Sequence, residues 1–168
     1  MAALTGSLTM ISVAPAGANP IDIEITVNKE VVNPPQAQTQ FTIKYSCSDG
    51  EDFSESGTKT LNWRQIGNGM WKLLPPQADF YVDLSEAEND VTCTISETNA
   101  GGATSSTITC DDADNATCSS STTVTIDEEE DESATAEFTV KNDFTPAAPS
   151  GGGAAAATAV PAAPQVTG

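Results

Sequence analysis

The sequence predicts an all-β domain, a two-sheet β-sandwich flanked by two ends that take no part in it. Between Pro20 and Phe144, apolar and polar residues alternate with a period of two, which is typical of half-buried strands. Turn signals such as Pro34-Pro35 and Asp49-Gly50 separate about seven such runs, the pattern of a sandwich. A region of roughly 125 residues is long enough to bury a modest core.

Each predicted strand has its own apolar face. The clearest apolar series are Ile21, Ile23, Ile25 and Val27, then Phe41, Ile43, Tyr45 and Cys47, then Val91, Cys93 and Ile95, and finally Phe138 and Val140. Residues 107–109 and 122–126 are shorter runs rich in β-branched side chains. Residues 61–66 and 70–74 flank Gly67-Asn68-Gly69, which predicts a hairpin. Residues 84–89 have a helical tendency but are short enough to form a turn.

The two ends differ from the domain in composition. Residues 1–18 are small and uncharged, and Ala16-Gly17-Ala18 fits the cleavage site of a signal peptide, with Asn19 as the mature start. The basic segment of such a signal is missing, so a flexible leader is the alternative. Residues 146–168 are rich in Pro, Ala and Gly and are predicted to be a disordered linker. The domain itself is expected to span residues 20–145.

Composition excludes several classes of function. The chain of 168 residues has 24 acidic and 6 basic residues, a formal net charge of -18 and no histidine. Such a charge repels nucleic acids. Without histidine the common nucleophile–base pairs cannot form, and no nucleophile motif or phosphate loop is present, so no enzyme is expected. No apolar run is long enough to span a membrane.

The four cysteines allow three pairings. Cys47 and Cys93 both lie on the apolar phase of their strands, which favours a bridge between them in the interior. Cys110 and Cys118 then close a small loop. The chain lacks a Cys-x-x-Cys pair, which argues against a metal site, and two disulfides agree with export.

Two further groups of residues have a functional and a structural interpretation. Asp111, Asp112 and Asp114, and the acidic run 127–132, could ligate Ca²⁺, the one cofactor considered, or could form solvated loops. Trp63, Trp71, Phe80 and Tyr81 could form a platform for sugar stacking, or could pack in the core.

Three polar residues break the apolar pattern at the ends of strands. Continuing the inward phase of the first strand leads to Lys29, that of the strand at 91–95 leads to Glu97, and that of the last strand leads to Asn142. Burying any of them without a partner costs several kcal/mol. The pattern leaves open whether the three side chains are buried or emerge into water where their strands end.

Four segments carry a resemblance to a known family: 27–32 (VNKEVV), 41–47 (FTIKYSC), 91–104 (VTCTISETNAGGAT) and 138–144 (FTVKNDF). They resemble the DUF5979 repeat, an immunoglobulin-like module of actinobacterial secreted and cell-wall proteins, which is similar to the Cna-B domains of Gram-positive pilins and adhesins. In Cna-B domains a lysine of the first strand and an asparagine of the last form an isopeptide bond, assisted by an acid. The resemblance implies these roles for Lys29, Asn142 and Glu97. The alternatives are a buried Lys29–Glu97 ion pair and full exposure.

The resemblance implies a structural module, a stalk or pilin-like spacer of a Gram-positive and actinobacterial surface protein. Such a module would lie outside the cell or at the cell wall, next to other domains of a longer protein. Residues 48–90 depart from the family pattern. The alternative is therefore an adhesive domain that binds a host protein or glycan through loops of that region. Any chemistry is limited to a single self-processing turnover.

Overall fold

The computed structural model describes residues 22–127 and 133–146, and this part of the chain forms ten strands in two sheets. The strands are β1 (Asp22–Val32), β2 (Thr39–Ser48), β3 (Ser54–Ile66), β4 (Met70–Leu74), β5 (Gln77–Asp83), β6 (Val91–Asn99), β7 (Ser105–Asp114), β8 (Thr117–Ser120), β9 (Thr123–Ile126) and β10 (Ala134–Asp143). One sheet has the order β5-β1-β10-β7 and the other β4-β3-β2-β6-β9-β8. The all-β, two-sheet prediction is confirmed. Residues 1–21, which include the predicted leader, residues 128–132 and residues 147–168 lie outside the described residues.

The first and last strands are neighbours and run in the same direction. β1 pairs with β10 in parallel from Ile23↔Ala134 to Val32↔Asp143. Ile23, Ile25 and Val27 are fully buried, as the period of two predicts, and so are Phe138 and Val140 on β10. Over these residues the sheet therefore turns an apolar face toward the other sheet.

The two sheets pack face to face around a single core. Tyr45 of β2 and Phe80 of β5 meet across the interface, with ring centroids 4.8 Å apart. The apolar residues of β2 and β6 named above are buried in this core as well. The predicted faces of these strands are thus correct.

The region 54–83 contains more strand than the sequence predicts. The hairpin at Gly67-Asn68-Gly69 forms as expected, with Asn68 and Gly69 at positive φ. β3 begins earlier, at Ser54, because its polar first half, residues 54–60, pairs with residues 42–48 of β2. β5 was not predicted as a strand. Residues 84–90 form a turn, with the amide of Ala87 donating to the carbonyl of Leu84. Across the described residues, no helix has the length and apolar character to cross a membrane.

The disulfides join Cys47 to Cys93 and Cys110 to Cys118, the pairing that the strand phases suggest. Cys47 and Cys93 lie directly opposite each other on β2 and β6, with Cα atoms 4.0 Å apart. Cys110 lies on β7 and Cys118 on β8, so the second bridge ties an edge strand of one sheet to an edge strand of the other.

Candidate functional site

The three polar residues that break the apolar pattern meet between the two sheets. Lys29 and Asn142 come from the adjacent parallel strands β1 and β10, where Lys29 is opposite Val140 and Asn142 is opposite Val31. Glu97 comes from β6 in the facing sheet. Their positions follow from strand parity, because each continues the inward-facing series of its strand.

One oxygen of Glu97 accepts hydrogen bonds from both of its partners. Lys29 Nζ donates to Glu97 Oε1 at 2.7 Å, and Asn142 Nδ2 donates to the same oxygen at 3.1 Å. The side chain of Lys29 is 0% exposed and that of Glu97 3%. Asn142 is also fully buried. Lys29 therefore does not emerge into water, and it forms a buried ion pair with Glu97.

Two neighbouring groups fix the orientation of the site. Ser106 of β7 donates from Oγ to Glu97 Oε2 at 2.7 Å. Asn142 Nδ2 also donates to the carbonyl oxygen of Ala100 at 3.0 Å. A carbonyl can only accept, so it requires the nitrogen of the carboxamide on its side. Asn142 Oδ1 then points elsewhere, and among the described atoms it is buried without a hydrogen-bond partner.

Burial controls the charge of the lysine. Removal from water lowers the pKa of the Lys29 ammonium from its ordinary value of 10.5, and the hydrogen bond and charge of Glu97 oppose this shift. The ammonium also lies 4.6 Å from the centroid of the Phe41 ring, which favours the cation. The net lowering brings the neutral, nucleophilic amine closer to ordinary pH than in an exposed lysine.

This arrangement brings together the groups needed for amide transfer. An amine, a carboxylate and a carboxamide lie in one hydrogen-bonded chain, Lys29–Glu97–Asn142, shielded from water. A buried amine can act as a nucleophile, and a carboxylate between donor and acceptor can carry protons from one to the other.

The acidic residues considered for Ca²⁺ do not form a metal site in the described part of the chain. Nowhere in residues 22–127 and 133–146 do three or more acidic or cysteine side chains gather closely enough to hold a metal ion. Asp111, Asp112 and Asp114 are exposed residues of β7, and the register shift between Glu137 and Phe138 of β10 leaves Asp111 without a partner residue in the strand pairing. Asp111 instead accepts from Thr109 Oγ1. Most of the acidic run 127–132 lies outside the described residues.

The four aromatic residues do not form one platform. Phe80 is buried in the core, whereas Tyr81 is 66% exposed on the outer face of β5 and donates to Glu24. Trp63 and Trp71 stack at a centroid distance of 6.4 Å, and Trp63 Nε1 donates to the carbonyl oxygen of Pro35. An open cleft of about 710 Å³ beside this pair is lined in part by Gln40, Asn62, Trp63 and Arg64.

Sequence reasoning missed two groups of the site. Ser106 and the carbonyl of Ala100 contact Glu97 and Asn142 but belong to no apolar series. The available signal in the sequence is the run Asn99-Ala100-Gly101-Gly102, whose residue types are typical of a turn, and this turn connects β6 to β7. Gly101 has a positive φ, and a Cβ at that position would overlap Thr39 and lie 2.9 Å from Phe41 Cε1. The turn therefore packs closely against the site.

Comparison with known proteins finds structural similarity only. No protein-family model matches the chain, so the resemblance to the DUF5979 repeat stays a prediction, and no curated protein matches it. A bacterial adhesin from Mobiluncus mulieris, described as containing intramolecular disulfide, isopeptide and ester bond cross-links, is similar in two crystal forms. Its identities are 13% and 15% and its TM-scores 0.35 and 0.38. The match covers 73% of this chain and 41% of the adhesin chain.

A second solved structure, the pilus-presented adhesin Spy0125 (Cpa), has 13% identity and a TM-score of 0.33. The match covers 74% of this chain and 28% of the adhesin chain. The chain thus spans less than half the length of the structures that it matches. With such scores the similarities concern the outline of the fold, not the residues of the site.

Proposed function

We propose that this chain is a structural module of an extracellular surface protein, a stalk or pilin-like spacer whose first and last strands are locked by an isopeptide bond between Lys29 and Asn142. The observation that carries the proposal is the shared acceptor: the lysine amine and the asparagine carboxamide both donate to Glu97 Oε1 in a site closed to water. Glu97 is the proton carrier in this proposal.

The reaction begins with a proton transfer along the shorter hydrogen bond. Lys29 Nζ passes one proton over 2.7 Å to Glu97 Oε1, which neutralises both groups in a site where burial disfavours charge. The neutral amine then attacks the carboxamide carbon of Asn142, forming the new carbon–nitrogen bond and placing negative charge on Oδ1. Attack by a positioned neighbour avoids the entropy cost of a bimolecular reaction.

The second half of the reaction releases ammonia. Glu97 Oε1 lies 3.1 Å from Asn142 Nδ2, so it can hand its proton to the nitrogen that must leave. The carbon–nitrogen bond to Nδ2 breaks as the charge on Oδ1 collapses, and Glu97 takes the second proton of Lys29 Nζ. The products are an amide between the two side chains, one ammonia and a protonated Glu97, whose proton is finally lost with the ammonia as ammonium.

Strand topology supports a role under tension. Because β1 and β10 are parallel, the chain enters β1 at one end of the sheet and leaves β10 at the opposite end. Tension applied at these two ends pulls β1 and β10 past each other. The hydrogen bonds between the two strands then bear the force at the same time. A covalent bond from Lys29 to Asn142 would carry the load directly between the two strands. Residues 30–141 would then be unable to extend.

Surface charge and disulfides agree with an extracellular location. The formal charge of -18 keeps such a module well hydrated and works against binding to anionic polymers. Disulfides persist in oxidising compartments and are rare in the cytosol.

Intact mass measurement of the expressed chain, with its disulfides reduced, tests the proposal. The expected mass is lower than that of the sequence by one ammonia. Lys29→Ala and Glu97→Ala should each restore the full mass, whereas Lys141→Ala, which changes an exposed lysine of β10, should keep the deficit. A wild-type mass equal to that of the plain sequence would overturn the proposal.

A second candidate function, adhesion, is favoured by the cleft beside the stacked tryptophans. Its lining combines the half-buried indole of Trp63, the amides of Gln40 and Asn62 and the guanidinium of Arg64. These groups suit hydroxyl-rich ligands such as glycans, which need planar hydrogen-bonding partners and an aromatic neighbour. Tryptophan fluorescence during titration with soluble oligosaccharides tests this candidate, and Arg64→Ala should weaken any response. A flat titration with every oligosaccharide would remove it.

A further inference from the structure

We infer that Ser106 is a positioning residue for cross-link formation, because its hydroxyl holds the Glu97 carboxylate so that a single oxygen faces both Lys29 and Asn142. This inference rests on the proposed function. Ser106 is opposite Asn142 in the pairing of β7 with β10, but its hydroxyl donates to Glu97 Oε2 at 2.7 Å, so it acts through the carboxylate.

The geometry of the carboxylate explains why one oxygen must be held. A glutamate side chain ends in a carboxylate that rotates readily about its last bond. If Oε2 were free, the carboxylate could turn and present different oxygens to Lys29 and Asn142. A proton taken on one oxygen would then be out of reach of Nδ2. The Ser106 hydroxyl removes this freedom by occupying Oε2, which leaves Oε1 for both transfers.

The carbonyl of Ala100 completes the alignment from the other side. It accepts from Asn142 Nδ2 at 3.0 Å and so keeps the leaving nitrogen next to Glu97 Oε1. Ser106 and Ala100 lie on either side of the turn between β6 and β7, so this one connection orients both the proton carrier and the leaving group. Among the side chains of the described residues, the hydrogen bond to Glu97 Oε2 comes from Ser106.

The test is a time course of ammonia loss, followed by intact mass, after cell-free synthesis of the full chain. We expect Ser106→Ala to slow cross-linking by roughly ten- to a hundredfold, the range for misplacing a catalytic group by about 1 Å. Ser105→Ala makes the same change one residue earlier, on the opposite face of β7, and should react at the wild-type rate.

A matched pair of variants separates positioning from stability. Ser106→Thr keeps the hydroxyl and Ser106→Val replaces it with a methyl group of similar size, and both are β-branched residues that suit a strand. We expect Ser106→Thr to restore most of the rate and Ser106→Val to be as slow as Ser106→Ala, even if the alanine variant folds poorly. To compare stability without the cross-link, Ser106→Thr and Ser106→Val are each combined with Glu97→Gln. The thermal unfolding temperatures of these two double variants should match.

Each outcome has a distinct meaning. Equal rates for wild type, Ser106→Ala and Ser106→Val would overturn the role of Ser106 and leave the proposed function intact. A wild-type chain that never loses ammonia would overturn the proposed function, and the role of Ser106 with it.

Discussion

The Cys47–Cys93 bridge and the Lys29–Glu97–Asn142 cluster tie the sandwich together in different ways. The bridge joins two neighbouring strands of one sheet, which backbone hydrogen bonds already hold in register. The cluster joins the first strand, the last strand and a strand of the facing sheet through side chains alone. Apolar residues could fill the position of the cluster at least as well for stability. Its polar composition is therefore not required for packing, and it agrees with the proposed cross-link.

The largest expected effect comes from removing the buried lysine. Lys29→Met abolishes the proposed cross-link, which closes a loop of about 113 residues and is worth roughly 5 kcal/mol in the chain-entropy model. It also removes the Lys29 nitrogen as a hydrogen-bond donor to the buried Glu97, which costs about 1–3 kcal/mol. Denaturant unfolding should show a loss large enough to unfold a domain of ordinary stability.

The surface ion pair of the same two strands provides the matched control. Lys141 Nζ lies 3.4 Å from Glu30 Oε1, with both side chains about half exposed. Lys141→Met should change the free energy of unfolding by about 0–1 kcal/mol, because exposed pairs contribute little. Similar losses for Lys29→Met and Lys141→Met would show that the buried cluster has no special role.

Replacing both Cys47 and Cys93 with alanine should have the next largest effect. The bridge closes a loop of 46 residues, which corresponds to about 4 kcal/mol in the chain-entropy model. The two alanines also leave a small void in the core. Thermal unfolding of the double variant, compared with wild type, measures this loss, and an unchanged transition would mean that the hydrogen-bonded pairing of β2 and β6 is sufficient.

Replacing Cys110 and Cys118 with alanine should cost less, about 2.5 kcal/mol, because the loop spans only 8 residues. This bridge joins the edges of the two sheets, so its removal should also increase hydrogen exchange at β7 and β8. Exchange that rises equally over all strands would contradict this local role.

The smallest expected effect is a pH dependence that a free Lys29 amine would create. In Asn142→Ala, which cannot form the cross-link, burial keeps the folded-state pKa of Lys29 below its ordinary value of 10.5. At pH values between the lowered pKa of folded Lys29 and 10.5, the unfolded chain binds more protons than the folded chain. The free energy of unfolding should therefore rise with pH over this range. The cross-linked wild type has no such titration. Lys29→Met/Asn142→Ala is the control and should lack the rise.

The pH range in which the stability of Asn142→Ala reports on Lys29 ends near pH 10. Burial and the hydrogen bond to Glu55 raise the pKa of Tyr45 from 10.0 to about 12. Above pH 10 the folded chain therefore binds more protons than the unfolded chain, and stability falls as pH rises toward 12. Unfolding measurements at several pH values below 10 avoid this opposing contribution, and a stability of Asn142→Ala that falls over that range would contradict the lowered pKa of Lys29.

Strand parity predicted the fold and the residues of the cluster because the period of two is a local property of sequence. It placed Lys29, Glu97 and Asn142 on inward-facing positions without any knowledge of strand order. The role of Ser106 could not be predicted in this way, because it depends on how β7 is aligned with β10. A register shift between Glu137 and Phe138 sets that alignment, and no local pattern in the sequence predicts this shift.

Residues 54–83 were underestimated for a related reason. The first half of β3 is polar and exposed, and it becomes a strand only because β2 offers it backbone partners. In β5 the alternation of Ala78, Phe80 and Val82 is typical of a strand, whereas the prediction of an aromatic platform treats the adjacent Phe80 and Tyr81 as one group. The structure separates them onto opposite faces of the strand.

Tryptic digestion of the disulfide-reduced chain, followed by tandem mass spectrometry, tests the central claim most directly. An isopeptide bond at Lys29 blocks cleavage after that residue and joins its peptide to the segment that follows Lys141 and begins at Asn142. We expect one branched peptide that contains both residues and lacks one ammonia. Cleavage after Lys29, with a linear 30–44 peptide and an unmodified Asn142, would contradict the account.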